Sequence, residues 1–205
     1  EVYYYVRHPK RKMVEELFKR VVKAAEGAAL GTETTMNFEV MHGNYSLMPN
    51  DTLQAIMHEK LSSRGGIRYS SKENEFANTI YKTLLNPKAK IGDQEEILSY
   101  KPTHGYGSTD VGDVSWLVPT AGARISTWVP GTPAHSWQAV ASGGTTIGLK
   151  GTKLAVQVLS ETAKEIFLNP SIVSKAKEEL EKRVGKDFNY MPLLGNRAPP
   201  LDYRN

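Results

Sequence analysis

The sequence contains no cysteine, and this absence excludes several kinds of chemistry at once. Without a thiol the chain forms no disulfide, no thiolate metal site and no cysteine nucleophile. Long apolar runs are missing as well, since none approaches the roughly 18 residues that a membrane-spanning helix requires. We therefore expect a protein with no membrane partner. Cytoplasmic localisation is the simplest expectation for a chain that shows neither a signal peptide nor disulfides.

The chain also lacks a strong charge of one sign. Its 26 lysine and arginine residues are interleaved with 22 aspartate and glutamate residues, which leaves a net charge of +4. No basic tail stands out, so nucleic acid is not a required partner. With 205 residues, of which 40% are hydrophobic and 23% charged, the chain has an ordinary globular composition and room for one or two domains.

Several active-site signatures are missing too. The sequence has no P-loop and no dinucleotide-binding G-x-G-x-x-G, and no G-x-S-x-G surrounds Ser108 or Ser115. No complete metal site is evident, because no two histidines have H-x-H or H-x-x-x-H spacing. The acidic pairs are assigned to solvated helix faces or, for the middle one, to a loop: Glu15-Glu16, Glu95-Glu96 and Glu178-Glu179.

What is present begins with an alternating stretch, EVYYYVR, which predicts a β-strand. A helix of about five turns is predicted after Pro9, and the alternation in TTMNFEVMH predicts a second strand. Residues 1–44 therefore read as a β-α-β unit, with a domain boundary near residue 45. Because two strands and one helix bury too little to be stable alone, we expect partner strands outside this chain, which would then be a piece of a longer protein.

The rest of the chain is predicted to be richer in helices. Helical spacing and stop signals predict helices at about 51–62, 73–85 and 147–168, and another from Asn169-Pro170 to Gly185. A short helical turn is expected at about 93–98. The runs DVSWLVP and ARISTWVP alternate and each ends in proline, which is typical of strands leaving a sheet. The tail from Asn189 is predicted to be irregular.

His135 is the most prominent candidate for a functional side chain. It follows the second of these predicted strands, in the loop PGTPAHS, whose glycine and small residues allow a ligand to approach the backbone. On the residues alone, a hydrogen-bonded structural histidine is more common than a metal ligand, so both remain open. Asp110 and Asp113 flank a glycine ahead of the first predicted strand, where turn capping and a functional role are equally compatible with the sequence.

Two motifs connect the chain to a known family. STDVGDVSW at 108–116 and GTPAHSWQ at 131–138 resemble the family of co-catalytic metallopeptidases and aminoacylases, which includes glutamate carboxypeptidases and auxin-conjugate amidohydrolases. His135-Ser136-Trp137 departs from the His-Ser-Pro or His-Thr-Pro common in that family and is similar to its aminobenzoyl-glutamate hydrolase subgroup. YYYVRHPKRKMVEELFKRVVKAAEGAAL looks like part of the family's lid, and NYSLMPNDTL like the return into its catalytic domain.

The resemblance implies an α/β fold. Residues 1–44 would form the second half, a β-α-β unit, of a ferredoxin-like lid or dimerisation domain. Residues 45–205 would form the C-terminal half of a metallopeptidase-like catalytic α/β domain. Homodimerisation through the lid is implied, with a hetero-oligomer containing a related subunit as the other possibility.

The resemblance also assigns roles to individual residues. His135 matches the last metal ligand of the family, and Gly131 and Thr132 would line the cleft before it. Asp110 aligns with an aspartate near the active site. Arg7 aligns with an arginine that faces substrate in relatives, although an exposed arginine at a strand end explains it almost as well. The remaining ligands and the catalytic glutamate would lie outside this chain, so we expect no catalytic residue within it.

The implied function is metal-dependent hydrolysis of the amide bond of an N-acyl or aminobenzoyl amino acid, with aminobenzoyl-glutamate as the best candidate. Two divalent ions, zinc or manganese, would activate water in the complete enzyme. The chain by itself is expected to retain neither ion and to be inactive. The alternative is a non-catalytic binding or assembly module, in which RHPKRK beside YYY forms a basic, aromatic surface for nucleic acid or protein.

Overall fold

The computed structural model describes residues 1–103, 105, 107–199 and 201, so His104 lies outside the described residues. Within these ranges the regular secondary structure is helical and no strand is present. The α/β fold class predicted from the sequence is therefore wrong for this structure. The helices are α1 (Arg11–Gly31), α2 (Asp51–Arg64), α3 (Ser71–Tyr81), α4 (Val111–Ser115), α5 (Trp137–Gly143), α6 (Thr146–Leu168) and α7 (Pro170–Val184), with a 3-10 turn at Asp93–Glu95.

The β-α-β unit predicted for residues 1–44 is reduced to its helix. Residues 1–8 and 34–44 carry no strand, and no backbone hydrogen bond joins these two described segments. Tyr3, Tyr4 and Tyr5 are 63%, 70% and 80% exposed. An alternating pattern marks two faces, but a strand forms only when its N–H and C=O groups pair with a neighbour, and two strands alone are marginally stable. The β-α-β arrangement is therefore not observed in residues 1–44, and the assignment of these residues to half of a lid stays a prediction.

The two strands predicted before His135 are also wrong. In DVSWLVP the chain instead forms the short helix α4, in which the Ser115 hydroxyl donates to the Gly112 carbonyl at 2.5 Å. Gly112 lies against the backbone of Tyr45, so closely that an added Cβ would be 2.0 Å from the Tyr45 carbonyl oxygen. In ARISTWVP, Val129 is buried, 1% exposed, but the run has no strand partner among the described residues. Val129 is buried against Ala77 and Ile80 of α3 and Ile147 of α6, not within a sheet.

The predicted long helices are confirmed, and their ends are explained by capping. The Asn50 side chain accepts from the Leu53 N–H at 3.1 Å at the start of α2. Ser70 and Glu73 form a reciprocal capping box at the start of α3. Thr145 caps α6. α3 ends at Tyr81, four residues before its predicted end, and α7 ends before Gly185 as expected.

Contacts divide the chain into two compact units. The first unit comprises Glu1–Met48, Gly105–Val118 and Val184–Asn205. Its centre is Tyr45, which is 3% exposed and whose ring lies 5.3 Å from that of Trp116 and 5.2 Å from that of Tyr190. The Tyr45 hydroxyl donates to the Met191 carbonyl at 2.8 Å. Residues 189–199, irregular as predicted, are thus tied to the centre of their own unit.

The second unit comprises Pro49–His104 and Pro119–Arg183. Its apolar core is formed by Ala77 and Ile80 of α3, Val129, and Ile147 of α6. α2 and α5 both pack against α6, which is the central helix of this unit. Among the described residues, no helix is both long enough and apolar enough to cross a membrane.

Candidate functional site

The loop containing His135 lies in the second unit, immediately before α5. Ser136 is the N-cap of α5, and its hydroxyl accepts from the Ala139 N–H at 3.2 Å while donating to the Pro133 carbonyl at 2.7 Å. One side chain therefore holds both the loop and the first turn of the helix. This anchoring fixes the backbone on the C-terminal side of His135.

His135 itself has an unusual backbone conformation, with a φ of 59° in the left-handed region. Side chains other than glycine seldom occupy this region, and such conformations are concentrated at functional sites. The residue is exposed, and its ring makes no hydrogen bond within the part of the chain that the structure describes. The imidazole therefore has both nitrogens accessible and is able to act as a ligand or an acid–base group.

The start of the loop is fixed by close packing at Gly131. Its φ is 84°, and an added Cβ would lie 2.6 Å from the Pro87 Cβ and 3.1 Å from the Ala89 carbonyl oxygen. Only glycine satisfies both the conformation and the space. The Thr132 N–H donates to the Val129 carbonyl at 3.1 Å, and the Thr132 hydroxyl oxygen is buried without a hydrogen-bond partner in the described residues. The loop is thus held rigidly at both ends.

The other two predicted site residues belong to the first unit. Asp110 precedes α4 and is exposed, and its carboxylate makes no capping bond to that helix. It accepts a long hydrogen bond from the Thr109 hydroxyl at 3.4 Å. The Arg7 guanidinium lies over the Tyr5 ring, 5.6 Å from its centroid. Substrate contact by Asp110 and Arg7 stays a prediction.

Asp113, the second aspartate of STDVGDVSW, has a structural role in the first unit. Its carboxylate accepts from the Tyr45 N–H at 3.1 Å and from the Tyr190 hydroxyl at 2.8 Å. The hydrogen bond to Asp113, with burial, raises the pKa of the Tyr190 phenol. The motif therefore contains one aspartate used for folding and one, Asp110, whose carboxylate is available to solvent.

A metal ion does not fit the described residues by themselves. Within residues 1–103, 105, 107–199 and 201, no group of three or more histidine, aspartate or glutamate side chains is placed to hold an ion. Catalytic zinc sites use about three protein ligands, and His135 offers one imidazole. His135 is accessible enough to be one ligand of a larger centre, but this part of the chain does not complete that centre.

Sequence reasoning missed a buried carboxylate in the second unit. The Glu73 side chain is 7% exposed and accepts from Lys150 Nζ at 2.5 Å, from the Thr146 hydroxyl at 2.6 Å and from the Ser70 N–H at 2.6 Å. The Lys150 ammonium, aided by the hydroxyl of Thr146, lowers the pKa of Glu73 to about 2. Ser-x-x-Glu before an apolar run is a capping-box signature, so residues 70–73 carried a usable signal.

Glu179 was assigned to a solvated helix face, and the structure corrects that assignment. Its side chain is 19% exposed, and its carboxylate accepts from the Asp51 and Thr52 N–H groups at 2.7 and 2.9 Å. Burial acts to raise the pKa of Glu179, but the hydrogen bonds from Thr52 and Asp51 outweigh it and lower the pKa overall. Glu179 therefore caps α2 from another helix, a role that no local pattern reveals.

Comparison with known proteins identifies two relatives. The chain is 33% identical to the B subunit of p-aminobenzoyl-glutamate hydrolase from Escherichia coli strain K12, across 97% of the chain and 47% of the relative. It is 25% identical to Xaa-Arg dipeptidase of Mus musculus, across 91% of the chain and 37% of that protein. The chain thus spans about half the length, or less, of these relatives. No family model and no solved structure matches it.

Proposed function

The chain belongs to the amidohydrolase family of its p-aminobenzoyl-glutamate hydrolase relative, and on that basis we propose that it is part of an amidohydrolase. Its substrate would be an N-acyl or aminobenzoyl amino acid, with aminobenzoyl-glutamate as the first candidate. Both relatives carry the names of hydrolases acting on bonds to an amino acid, and they support this class of reaction.

The observation that carries the proposal is the His135 loop. The backbone of His135 is in the left-handed conformation and its imidazole is exposed. Gly131, at a position that fits only glycine, precedes it, and Ser136, which caps α5, follows it. A backbone conformation of this kind persists where the surrounding structure holds it, as the packing of Gly131 and the Ser136 cap do here. We assign His135 as one ligand of a divalent metal ion, with Gly131 beside it in the loop. No described residue of this chain is assigned as catalytic base or nucleophile.

The proposal requires contributions from elsewhere in a complete protein. The relative is about twice as long as the aligned chain, and the remaining ligands and the proton-transfer group are proposed to come from its other regions. The 205-residue chain alone is accordingly expected to bind no catalytic ion and to release no product. Because the name of the relative describes one subunit of a hydrolase, we extend the proposal to assembly with a second, related subunit.

The deciding experiment changes His135 to alanine in the complete protein. Metal content measured by mass spectrometry and release of p-aminobenzoate from p-aminobenzoyl-glutamate are followed together. We expect His135→Ala to lose at least one metal ion per protein chain and to reduce kcat about a thousandfold. A loss of this size is typical when a group that stabilises charge in the transition state is removed. His42→Ala, which removes another exposed histidine, is the matched control and should retain both properties.

Either of two results would reject the proposal. Full metal content and normal turnover in His135→Ala would show that this ring is not a ligand. Turnover by residues 1–205 alone, in a preparation free of the complete enzyme, would show that the chain needs no further ligands. The alternative of a basic, aromatic binding surface around RHPKRK stays a prediction, and salt-sensitive binding of single-stranded RNA by the chain would favour it.

A further inference from the structure

A second site of interest is a pocket of about 260 Å³ in the second unit, lined by four basic side chains. Arg64 and Arg68 come from the end of α2 and the segment after it, and Lys150 and Lys153 come from α6. Leu154, which is partly exposed, adds apolar surface. This volume is smaller than the roughly 300 Å³ at which sites for drug-sized ligands begin, so the pocket has room only for a small ligand.

Two of the four basic side chains form ion pairs with glutamates of the same unit. Arg64 forms an ion pair with Glu161. Lys150 donates to the Glu73 carboxylate at 2.5 Å and to the Arg68 carbonyl at 2.9 Å. Because Lys150 holds the backbone of Arg68, the wall of the pocket has a defined position relative to α6. These two residues shape the pocket, but their charges are compensated by carboxylates.

The charges of the other two cations are left almost uncompensated. The Arg68 side chain is 90% exposed and approaches Glu95 only at 3.9 Å, and a pair with that exposure contributes little. Lys153 is exposed and has no ion pair within the ranges that the structure covers. The pocket therefore presents a guanidinium group whose ion pair is long and exposed and an ammonium group that has no ion pair in the described residues, and both are able to bind an anion.

We propose that this pocket binds a small ligand carrying a phosphate group. Guanidinium groups bind phosphate oxygens through paired hydrogen bonds, and a lysine ammonium adds a compact positive charge. A phosphate monoester carries about two negative charges at neutral pH, which matches the two uncompensated cations. Leu154 would contact a short apolar part of the ligand. None of these residues belongs to the His135 loop, so this site does not depend on the proposed hydrolase function.

The experiment titrates the purified protein with inorganic phosphate and, separately, with glycerol phosphate, using calorimetry at low and high sodium chloride. We expect saturable binding that weakens as salt is added. Lys153→Ala and Arg68→Ala should each weaken binding about fivefold, as expected for loss of one exposed charge contact. Tighter binding of the ester would identify phosphorylated small molecules as the source, and equal affinity would identify free phosphate.

The matched control is Lys164→Ala. Lys164 is exposed on the same helix, α6, and lies 11 residues beyond Lys153, which places it on the same helix face about 16 Å away. Its removal changes the net charge equally and should leave the affinity unchanged. Equal weakening by Lys164→Ala and Lys153→Ala would show a general charge effect and overturn the proposal. The absence of saturable binding of either ligand would overturn it as well.

Discussion

The two units of the molecule are stabilised by different kinds of contact. In the first unit, irregular segments meet at Tyr45, through aromatic rings and through hydrogen bonds to the Asp113 carboxylate and the Met191 backbone. In the second unit, helices with well-formed caps enclose an apolar core, and an ion pair joins Glu73 of α3 to Lys150 of α6. In the first unit several contacts converge on one aromatic side chain, whereas the second unit distributes its stabilising contacts over several helices.

The sharpest test of this difference is Tyr45→Ala, which has the largest expected effect. Removing a buried aromatic side chain with two ring contacts and three hydrogen bonds, to Arg11 and to the Met191 backbone, should destabilise the protein by about 4 kcal/mol. Hydrogen exchange measured by mass spectrometry should rise around residues 39–48 and 186–191. Tyr4→Ala, at a position 70% exposed, is the control and should change stability by less than about 0.5 kcal/mol. Similar effects of the two changes would refute the central role of Tyr45.

Glu73 provides the corresponding test in the second unit, through pH. Its pKa in the folded protein, about 2, lies below its ordinary value, so its contribution to stability is complete above about pH 4.5 and is lost as the pH falls towards 2. The shift corresponds to at most about 3 kcal/mol, and solvent screening lowers this because the Lys150 side chain is 41% exposed. We expect Glu73→Gln to be less stable than the wild type at pH 6 in denaturant unfolding.

The difference in stability between the wild type and Glu73→Gln should shrink as the pH is lowered to about 3, because the Glu73 carboxylate then contributes less to the stability of the wild type. Glu75→Gln, which changes an exposed glutamate of the same helix, is the control and should follow the wild type at every pH. A constant difference between Glu73→Gln and the wild type over this range would show that the ion pair with Lys150 does not supply the stability.

The same contrast explains which parts of the fold the sequence predicts. α6 is predictable because its apolar residues recur at helical spacing and a threonine cap precedes them, so all the necessary information is local. EVYYYVR and ARISTWVP have equally clear alternation, yet neither forms a strand, because pairing depends on a neighbouring strand that the alternation cannot specify. Glu179 was missed for a related reason, since the N–H groups it caps lie 127 and 128 residues earlier.

The candidate site was predicted in part by the same local logic. The PGTPAHS loop was identified from its glycine and its lone histidine, and the structure adds the left-handed conformation of His135 and the close packing of Gly131. The burial of the Thr132 hydroxyl was not predictable, because it depends on how the loop lies against residues distant in sequence. In the described part of the second unit, the hydroxyl oxygens of Thr132 and of Ser142 in α5 are both buried without a hydrogen-bond partner.

Thr132→Val gives the smallest expected effect and the one with opposite sign. A buried hydroxyl without a partner costs about 1–3 kcal/mol, and valine has nearly the same shape without that group. We expect Thr132→Val to raise the free energy of unfolding by about 1 kcal/mol, whereas Thr132→Ser, which keeps the hydroxyl and loses a methyl group, should lower it. Destabilisation by valine would show instead that the hydroxyl has a partner in solution. Tyr45→Ala and Glu73→Gln each remove a satisfied contact and should destabilise the protein. Stabilisation by Thr132→Val would instead show that the His135 loop buries a hydroxyl group at a cost to stability.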